Sequence, residues 1–184
     1  MGPVLESFLL VLASEMGDKT QLLALVLATR FKKPWTVMTG ILIATLLNHG
    51  LSTWLGTWIA QWIQPQTLKW ILSLIFFAFA FWILIPDKDE ELKDSFGFGP
   101  LLTTTVVFFL AEMADKTQLA TVALGAKFSS PWAVTLGTTL GMLVADALVV
   151  FWGHRLLEKL SMKYIRYFAC LLFIVFGVGI LFAS

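Results

Sequence analysis

Long apolar runs, separated by short polar or proline-containing stretches, dominate the sequence. Six of these runs are long enough to cross a bilayer as helices, since one crossing takes about 20 residues. The predicted spans are 3–29, 35–61, 67–85, 100–126, 132–155 and 163–182. Because nothing in the bilayer core can satisfy exposed backbone polar groups, each span should be helical. The pattern predicts an all-α, polytopic membrane protein with six transmembrane helices.

Composition supports this class and argues against others. The 184 residues are 58% hydrophobic and 14% charged, and the mean hydropathy of +0.84 is too high for a soluble domain of this size. With a net charge of +1 and no polybasic segment, no nucleic-acid partner is expected. The lone cysteine, Cys170, cannot form an intrachain disulfide. The N-terminus lacks the features of a signal peptide, so residue 1 onward is expected in the mature protein.

The two halves of the sequence resemble each other. A shift of 97 positions aligns Pro34 with Pro131 without a gap. The strongest match is EMGDKTQL at 15–22 against EMADKTQL at 112–119, two segments that differ at one position. Chance similarity between apolar helices would not reproduce charged residues, so the chain is interpreted as an internal duplication.

Each half contains three predicted spans, an odd number, so the second half enters the membrane from the opposite side. The six helices should therefore form two inverted three-helix repeats, an arrangement common in transporters. We expect a first repeat over residues 1–86, a short acidic cytoplasmic linker over 87–97 and a second, inverted repeat over 98–184.

The basic residues outside the motifs predict the orientation. Two of them, Lys69 and Lys127, fall on one side of the predicted membrane. Nine fall on the other: Arg30, Lys32, Lys33, Lys88, Lys93, Arg155, Lys159, Lys163 and Arg166. The side with nine is expected to be cytoplasmic, which makes both termini non-cytoplasmic. Tryptophans near the span ends fit interfacial anchors: Trp35, Trp62, Trp70, Trp132 and Trp152.

Four acidic residues fall near the middle of the first and fourth spans: Glu15, Asp18, Glu112 and Asp115. Each would cost about 2.5 to 3.5 kcal/mol at the bilayer centre without compensation. On a continuous helix, the Glu, the Asp and the next Lys of each motif share one face. Lys19 and Lys116 are therefore the expected charge partners.

Two interpretations of these acids are open. They could be a structural ion-pair network that joins two helices, although this leaves net negative charge in the core. Alternatively, the motifs meet near the midplane and the four acids bind a divalent metal. Oxygen ligands suit Ca²⁺, Mn²⁺ or Mg²⁺, whereas zinc and copper favour Cys or His. Additional ligands or supporting groups would be Thr20, Gln21, Thr117, Gln118, Asn48 and Asp146.

Protons should compete with the metal at such a site, because crowding and burial disfavour ionised carboxylates. This competition is the physical basis of an antiporter. His49 in the second span and Asp146 in the fifth, which the 97-residue shift aligns, are candidates for a proton relay. For His49 an ordinary interhelical hydrogen bond is the alternative. Met16 and Met113 could be soft ligands, but ordinary packing is the simpler interpretation.

Backbone flexibility is expected to differ between the two motifs. Gly17 allows the first span to open, as discontinuous helices do in transporters, whereas Ala114 disfavours the same break in the fourth. The third and sixth spans carry few polar residues and are expected to be scaffold helices, with Gly177 and Gly179 allowing close packing.

The paired segments EMGDKT and EMADKT resemble the duplicated E-x-G-D-[KR]-[TS] signature of the transmembrane protein 165 family. The resemblance covers essentially the whole chain, since the family has two such motifs in a six-span inverted core with an acidic cytosolic loop. It implies cation/proton antiport of Mn²⁺ and Ca²⁺, with metal and protons handled at Glu15, Asp18, Glu112 and Asp115. Thr20 and Thr117 match the last motif position, and Ala114 departs from the pattern.

The expected function is therefore a secondary active transporter that exports Mn²⁺, or Ca²⁺, from the cytosol in exchange for H⁺. No permanently bound cofactor and no enzymatic activity are expected, because no nucleophile set accompanies the carboxylates. A divalent cation channel and an exporter of a small amino acid, whose carboxylate could meet Lys19 and Lys116, are the alternatives.

The lipid bilayer is the expected surrounding of the whole protein. The resemblance implies a bacterial plasma (inner) membrane, with a thylakoid or other organelle membrane as the alternative. Both a monomer and a homo-oligomer are left open, since six spans can enclose a site alone.

Overall fold

The computed structural model describes residues 2–85, 99–113, 115–153 and 162–182. All regular secondary structure in these ranges is α-helical, as the apolar pattern predicted. The eight described helices are α1 (Pro3–Glu15), α2 (Lys19–Phe31), α3 (Pro34–Ala60), α4 (Pro65–Trp82), α5 (Pro100–Glu112), α6 (Lys116–Phe128), α7 (Pro131–Trp152) and α8 (Met162–Phe182). The predicted acidic linker, 87–97, falls outside the described residues.

Helix ends follow the duplication seen in the sequence. Proline opens five helices, because its missing N–H and fixed φ suit the first turn: Pro3, Pro34, Pro65, Pro100 and Pro131. Helices α2 and α6 both end with a left-handed residue, Lys32 (φ 51°) and Ser129 (φ 48°). The two halves therefore share local backbone geometry as well as sequence.

Three described helices are long and apolar enough to cross a membrane, namely α4, α7 and the part of α8 from Lys163 to Phe182. Helix α3 is longer, at 27 residues, but polar residues near its middle, among them Asn48 and His49, lower its hydropathy. The predicted spans 3–29 and 100–126 are each divided into two helices of 13 residues.

Both divided spans break within the acidic motif, as expected at Gly17 but not in the fourth span. Gly17 adopts a positive φ of 80° between α1 and α2, as its lack of a side chain allows. The fourth span was expected to be continuous, yet α5 ends at Glu112 and α6 begins at Lys116. Met113 and Asp115 both have extended backbone conformations, which end one helix and precede the next. Any L-residue can adopt such a conformation, so neither position needs a glycine. Each motif is therefore a junction between helices rather than one continuous helical face.

Packing joins helices from the two halves of the chain. Helix α1 packs against α7, and α3 packs against both α5 and α6. The approach of α3 to α6 is close enough that a Cβ added to Gly125 would lie 2.5 Å from the Thr53 carbonyl oxygen. Helices α4 and α8 pack together, and the Ser73 hydroxyl donates to the Gly177 carbonyl at 2.9 Å.

Two apolar clusters lie on different sets of helices. One is formed mainly by α1, α4, α6 and α8, with Phe76 and Phe173 at its centre. The other is formed by α2, α3, α5 and α7, with Ile41 and Phe108 fully buried. The broken helices contribute to both clusters, so apolar packing fixes the position of the two acidic junctions between them.

Replacing Gly125 by alanine should destabilise the protein by about 1 to 3 kcal/mol, because the new Cβ would overlap the backbone of α3. Thermal unfolding of the purified protein in detergent measures the effect. Gly179→Ala is the matched control, since a Cβ there meets nothing within 4 Å. Equal unfolding temperatures for the two variants would contradict the close α3–α6 contact.

Replacing Gly17 by alanine should also be destabilising, by about 1 to 2 kcal/mol, because an L-residue is strained at positive φ. The measurement is again the unfolding temperature, compared with Gly99→Ala, where φ is −63° and the surrounding space is open. A Gly17→Ala protein as stable as this control would show that the junction does not need the left-handed conformation.

Candidate functional site

The two helix junctions place acidic side chains at equivalent positions in each half. A glutamate is the last residue of the first helix, Glu15 in α1 and Glu112 in α5. An aspartate immediately precedes the second helix, Asp18 before α2 and Asp115 before α6. Neither aspartate side chain caps its own helix, although both lie beside a helix N-terminus. All four side chains are buried.

Ion pairs cross from each motif to the other. The Lys116 ammonium lies 3.6 Å from the Asp18 carboxylate, and the Lys19 ammonium lies 3.8 Å from the Asp115 carboxylate. Each lysine therefore contacts an aspartate of the opposite half. The spacing of residues within one motif could not predict these contacts, because the partners lie almost 100 residues apart in the sequence. Because two positive charges face four acids, the cluster keeps an excess of carboxyl groups.

Threonine hydroxyls distinguish the two glutamates. Glu15 accepts one hydrogen bond from Thr20, at 2.7 Å, and a second from Thr117 of the opposite motif. Neither carboxyl oxygen of Glu112 has a hydrogen-bond partner among the described residues, although this side chain is fully buried. A hydroxyl has one proton to donate, so two threonines that both donate to Glu15 cannot also donate to Glu112. Two motifs of nearly identical sequence therefore hold their glutamates in different environments.

The two glutamines anchor the junctions to neighbouring helices. The Gln21 side chain accepts from the Gly17 N–H at 2.7 Å and donates to the Ala145 carbonyl of α7 at 2.6 Å. The Gln118 amide donates to the Asn48 side chain at 3.5 Å, and Asn48 donates to the Phe109 carbonyl of α5 at 2.9 Å. These contacts hold each break against a long helix of the opposite half.

The other candidate residues, Asp146, His49 and the two motif methionines, differ in burial and in their contacts. Asp146 is fully buried in α7, close enough to Glu15 for their charges to interact. His49, its counterpart in α3, is also buried, but neither ring nitrogen has a hydrogen-bond partner among the described residues. The interhelical hydrogen bond considered for His49 is therefore not formed there. The Met113 side chain is half exposed, while the sulfur of Met16 lies 3.7 Å from the Gln21 amide nitrogen.

A small pocket lies beside the cluster, toward one end of the helix bundle. Its lining includes Ser14 and Asp18 near the first junction, Lys116 at the second, and Ile83 and Arg166 beyond the end of α4 and near the start of α8. Sequence reasoning did not single out Ser14, although a polar residue beside Glu15 in an apolar span was a signal. Within the described ranges, no three acidic, histidine or cysteine side chains converge closely enough to surround a metal in this conformation.

Comparison with known proteins identifies relatives of the whole chain. The family described as "Divalent cation/proton antiporter GDT1" matches residues 3–91 and 100–184. A Vibrio cholerae protein named "Putative manganese exporter" is 42% identical over 174 residues, covering 94% of this chain and 86% of the relative. A GDT1-like protein of Synechocystis is 29% identical, with 92% of each chain covered.

The same similarity extends to plants. GDT1-like protein 5 of Arabidopsis thaliana is 28% identical and covers 97% of this chain and 96% of its own length. No solved structure matches the chain significantly. The family match spans both halves and includes both acidic motifs. This chain therefore belongs to the GDT1 family of divalent cation/proton antiporters, the family whose signature its two motifs resemble.

Proposed function

We propose that this protein exports Mn²⁺ from the cytosol in exchange for protons, through a site that both motifs build together. The observation that carries this proposal is the crossed arrangement of the motifs, in which Lys19 and Lys116 each contact an aspartate of the opposite half. The name of the Vibrio cholerae relative supports Mn²⁺ as the cargo. Ca²⁺ is the second candidate, since carboxylate and hydroxyl oxygens suit both ions.

The proposed ligands are Glu15, Asp18, Glu112 and Asp115, with Thr20 and Thr117 as neighbouring hydroxyls. In this conformation the lysine ammonium groups lie beside both aspartates. A metal ion that uses those aspartates must therefore displace the ammonium groups. The ion then supplies the positive charge that the lysines supplied, so both aspartates face a positive charge before and after binding.

Protons provide the return step of the exchange. A buried carboxylate left without a metal or an ammonium group is costly in a membrane, and protonation removes its charge. Glu112 and Asp146 are the candidates for this step, because both are fully buried and neither has a hydrogen-bond partner among the described residues. Gln21, Gln118 and Asn48 support the junctions, and the buried His49 in α3 is a further candidate relay.

The proposed membrane arrangement is six spans in two inverted repeats, over residues 1–86 and 98–184. Helices α1 with α2 and α5 with α6 would each cross the bilayer as one broken span, while α3, α4, α7 and α8 cross singly. Each broken pair contains 26 residues in two 13-residue helices, more than the about 20 that a crossing requires. The excess of basic residues on one side supports a cytoplasmic α2–α3 connection with both termini outside. The Vibrio cholerae relative supports a bacterial plasma membrane as the location.

Substitution of the acids should abolish the exchange. In sealed liposomes, Glu15→Gln and Asp115→Asn should each reduce Mn²⁺-driven proton movement by at least about 100-fold, because each removes a charge that metal and protons share. Parallel assays with Ca²⁺ and Mg²⁺ rank the ions.

Glu90→Gln, the same chemical change in the acidic segment between the halves, is the matched control and should leave the flux unchanged. Metal flux without proton movement in the unsubstituted protein would indicate a channel and contradict the proposal. Full activity in either site variant would equally contradict it.

Removing one ammonium group should strengthen metal binding while weakening the protein. Lys116→Met eliminates a cation that the metal must displace, so Mn²⁺ affinity should rise by about tenfold. Unfolding in the presence of a chelator should occur at a lower temperature, because Asp18 loses its compensating charge. Calorimetric titration and thermal unfolding measure the two effects, with the exposed Lys33→Met as control. Weaker Mn²⁺ binding in Lys116→Met would contradict the displacement of lysine by metal.

A further inference from the structure

An ion pair outside the motifs joins the beginning of α1 to the end of α6. The Lys127 ammonium lies 2.5 Å from a Glu6 carboxylate oxygen. The same ammonium lies over two aromatic rings, 4.5 Å from the centroid of Phe128 and 5.0 Å from that of Phe176 in α8. Three helices are therefore held together at one point by a single lysine side chain.

This ion pair is largely shielded from solvent. The Glu6 side chain is 11% exposed and the Lys127 side chain 18% exposed. Breaking a pair in such surroundings by removing one partner leaves an uncompensated charge in a poorly hydrated place, which is strongly unfavourable. The contact should therefore resist opening unless the charges are altered or hydrated.

The ion pair and the pocket lie at opposite ends of two helices. Along α1, Glu6 lies near the start, whereas the pocket-lining Ser14 lies near the end. Along α8, Phe176 lies in the second half, whereas the pocket-lining Arg166 lies in the first turns. The pocket beside the acidic cluster thus lies toward one end of the bundle, while the Glu6–Lys127 pair brings helices together at the other.

One face of α6 leads from the pocket to the ion pair. Lys116 and Ala120 line pockets beside the cluster, and Ala123 and Lys127 continue the same face at helical spacings of three and four residues. Ala123 is buried, at 3% exposure, between the two ends. Packed side chains therefore fill the space along this face of α6 between the pocket and Lys127.

The two residues of this ion pair are not both repeated in the other half of the sequence. The 97-residue shift aligns Lys127 with Arg30 but aligns Glu6 with Thr103, which carries no charge. Helix packing differs between the halves as well. Helix α3 packs more extensively against α6 than its repeat counterpart α7 packs against α2. Among the described helices, the two halves therefore pack more closely at the end that holds the ion pair.

We propose that the Glu6–Lys127 pair is a gate that closes the transport route at the end opposite the pocket. While the ion pair is formed, the protein favours the conformation that is open at the pocket end. The ion pair must break before the cargo can leave at the other end. The inference rests on the proposed exchange, because a gate presupposes a route with two alternately open ends.

Thiol accessibility tests the gate without metal or transport. In a Cys170→Ser background, which removes the only cysteine, Ala123→Cys reports access behind the ion pair and Ser14→Cys reports access at the pocket. A hydrophilic, positively charged methanethiosulfonate is reacted with each reporter in detergent, where both ends face water. Each reporter cysteine is combined with Glu6→Gln. As a control, each is also combined with Glu90→Gln, which removes a carboxylate from the acidic segment between the halves.

Glu6→Gln should raise the modification rate of the Ala123→Cys reporter by about tenfold or more and lower that of Ser14→Cys, because the population shifts toward the opposite conformation. Exchanging the charges, with Glu6→Lys and Lys127→Glu together, should restore both parental rates. Unchanged rates in folded Glu6→Gln would overturn the gate, and so would a parallel rise at both reporters, which indicates general loosening.

The experiments can reject the gate and the proposed exchange independently of each other. The expected labelling pattern in a protein that exchanges neither Mn²⁺ nor protons in liposomes would retain the gate and reject the antiport. Metal/proton exchange in the parent with labelling rates that do not respond to Glu6→Gln would reject the gate and retain the antiport.

Discussion

The burial of four carboxyl groups inside an apolar helix bundle is the constraint on which the rest of the structure depends. Charge of this kind must be compensated where it lies, because the hydroxyl and amide groups of the surrounding helices carry no opposite charge. Here the compensation comes from lysines of the opposite half, Lys19 for Asp115 and Lys116 for Asp18. Each aspartate thus contacts a lysine of the opposite half, so the two halves are connected electrostatically at their centre as well as by packing around it.

The broken helices follow from the same constraint. An aspartate directly before a helix lies beside unpaired N–H groups and the positive end of the helix dipole, which favours its negative charge. Breaking the span at the motif thus creates a favourable environment for an acid in the middle of an apolar segment. Backbone left unpaired by the break is tied down by side chains, as the Gln21 contact with the Gly17 N–H illustrates.

Much of this organisation could be predicted from the sequence, because it follows from periodicity and repetition. The helices, the duplication and the residues of the two junctions were identified from apolar runs and from charges that recur after 97 positions. The break in the fourth span was not, since Ala114 gave no reason to expect one. Nor could the sequence show that Thr20 and Thr117 both donate to Glu15, or that Glu6 pairs with Lys127. These contacts depend on how distant segments are arranged in space. Because the two motifs are nearly identical, the local sequence does not distinguish Glu15 from Glu112 either.

The most direct test of the account is to locate Mn²⁺ in a crystal of this protein by its anomalous scattering. We expect one ion between the two helix junctions, with carboxylate ligands from both motifs and with the Lys19 and Lys116 ammonium groups moved away from the aspartates. An ion held by one motif alone, or an ion bound while both lysine–aspartate pairs stay intact, would contradict a shared site.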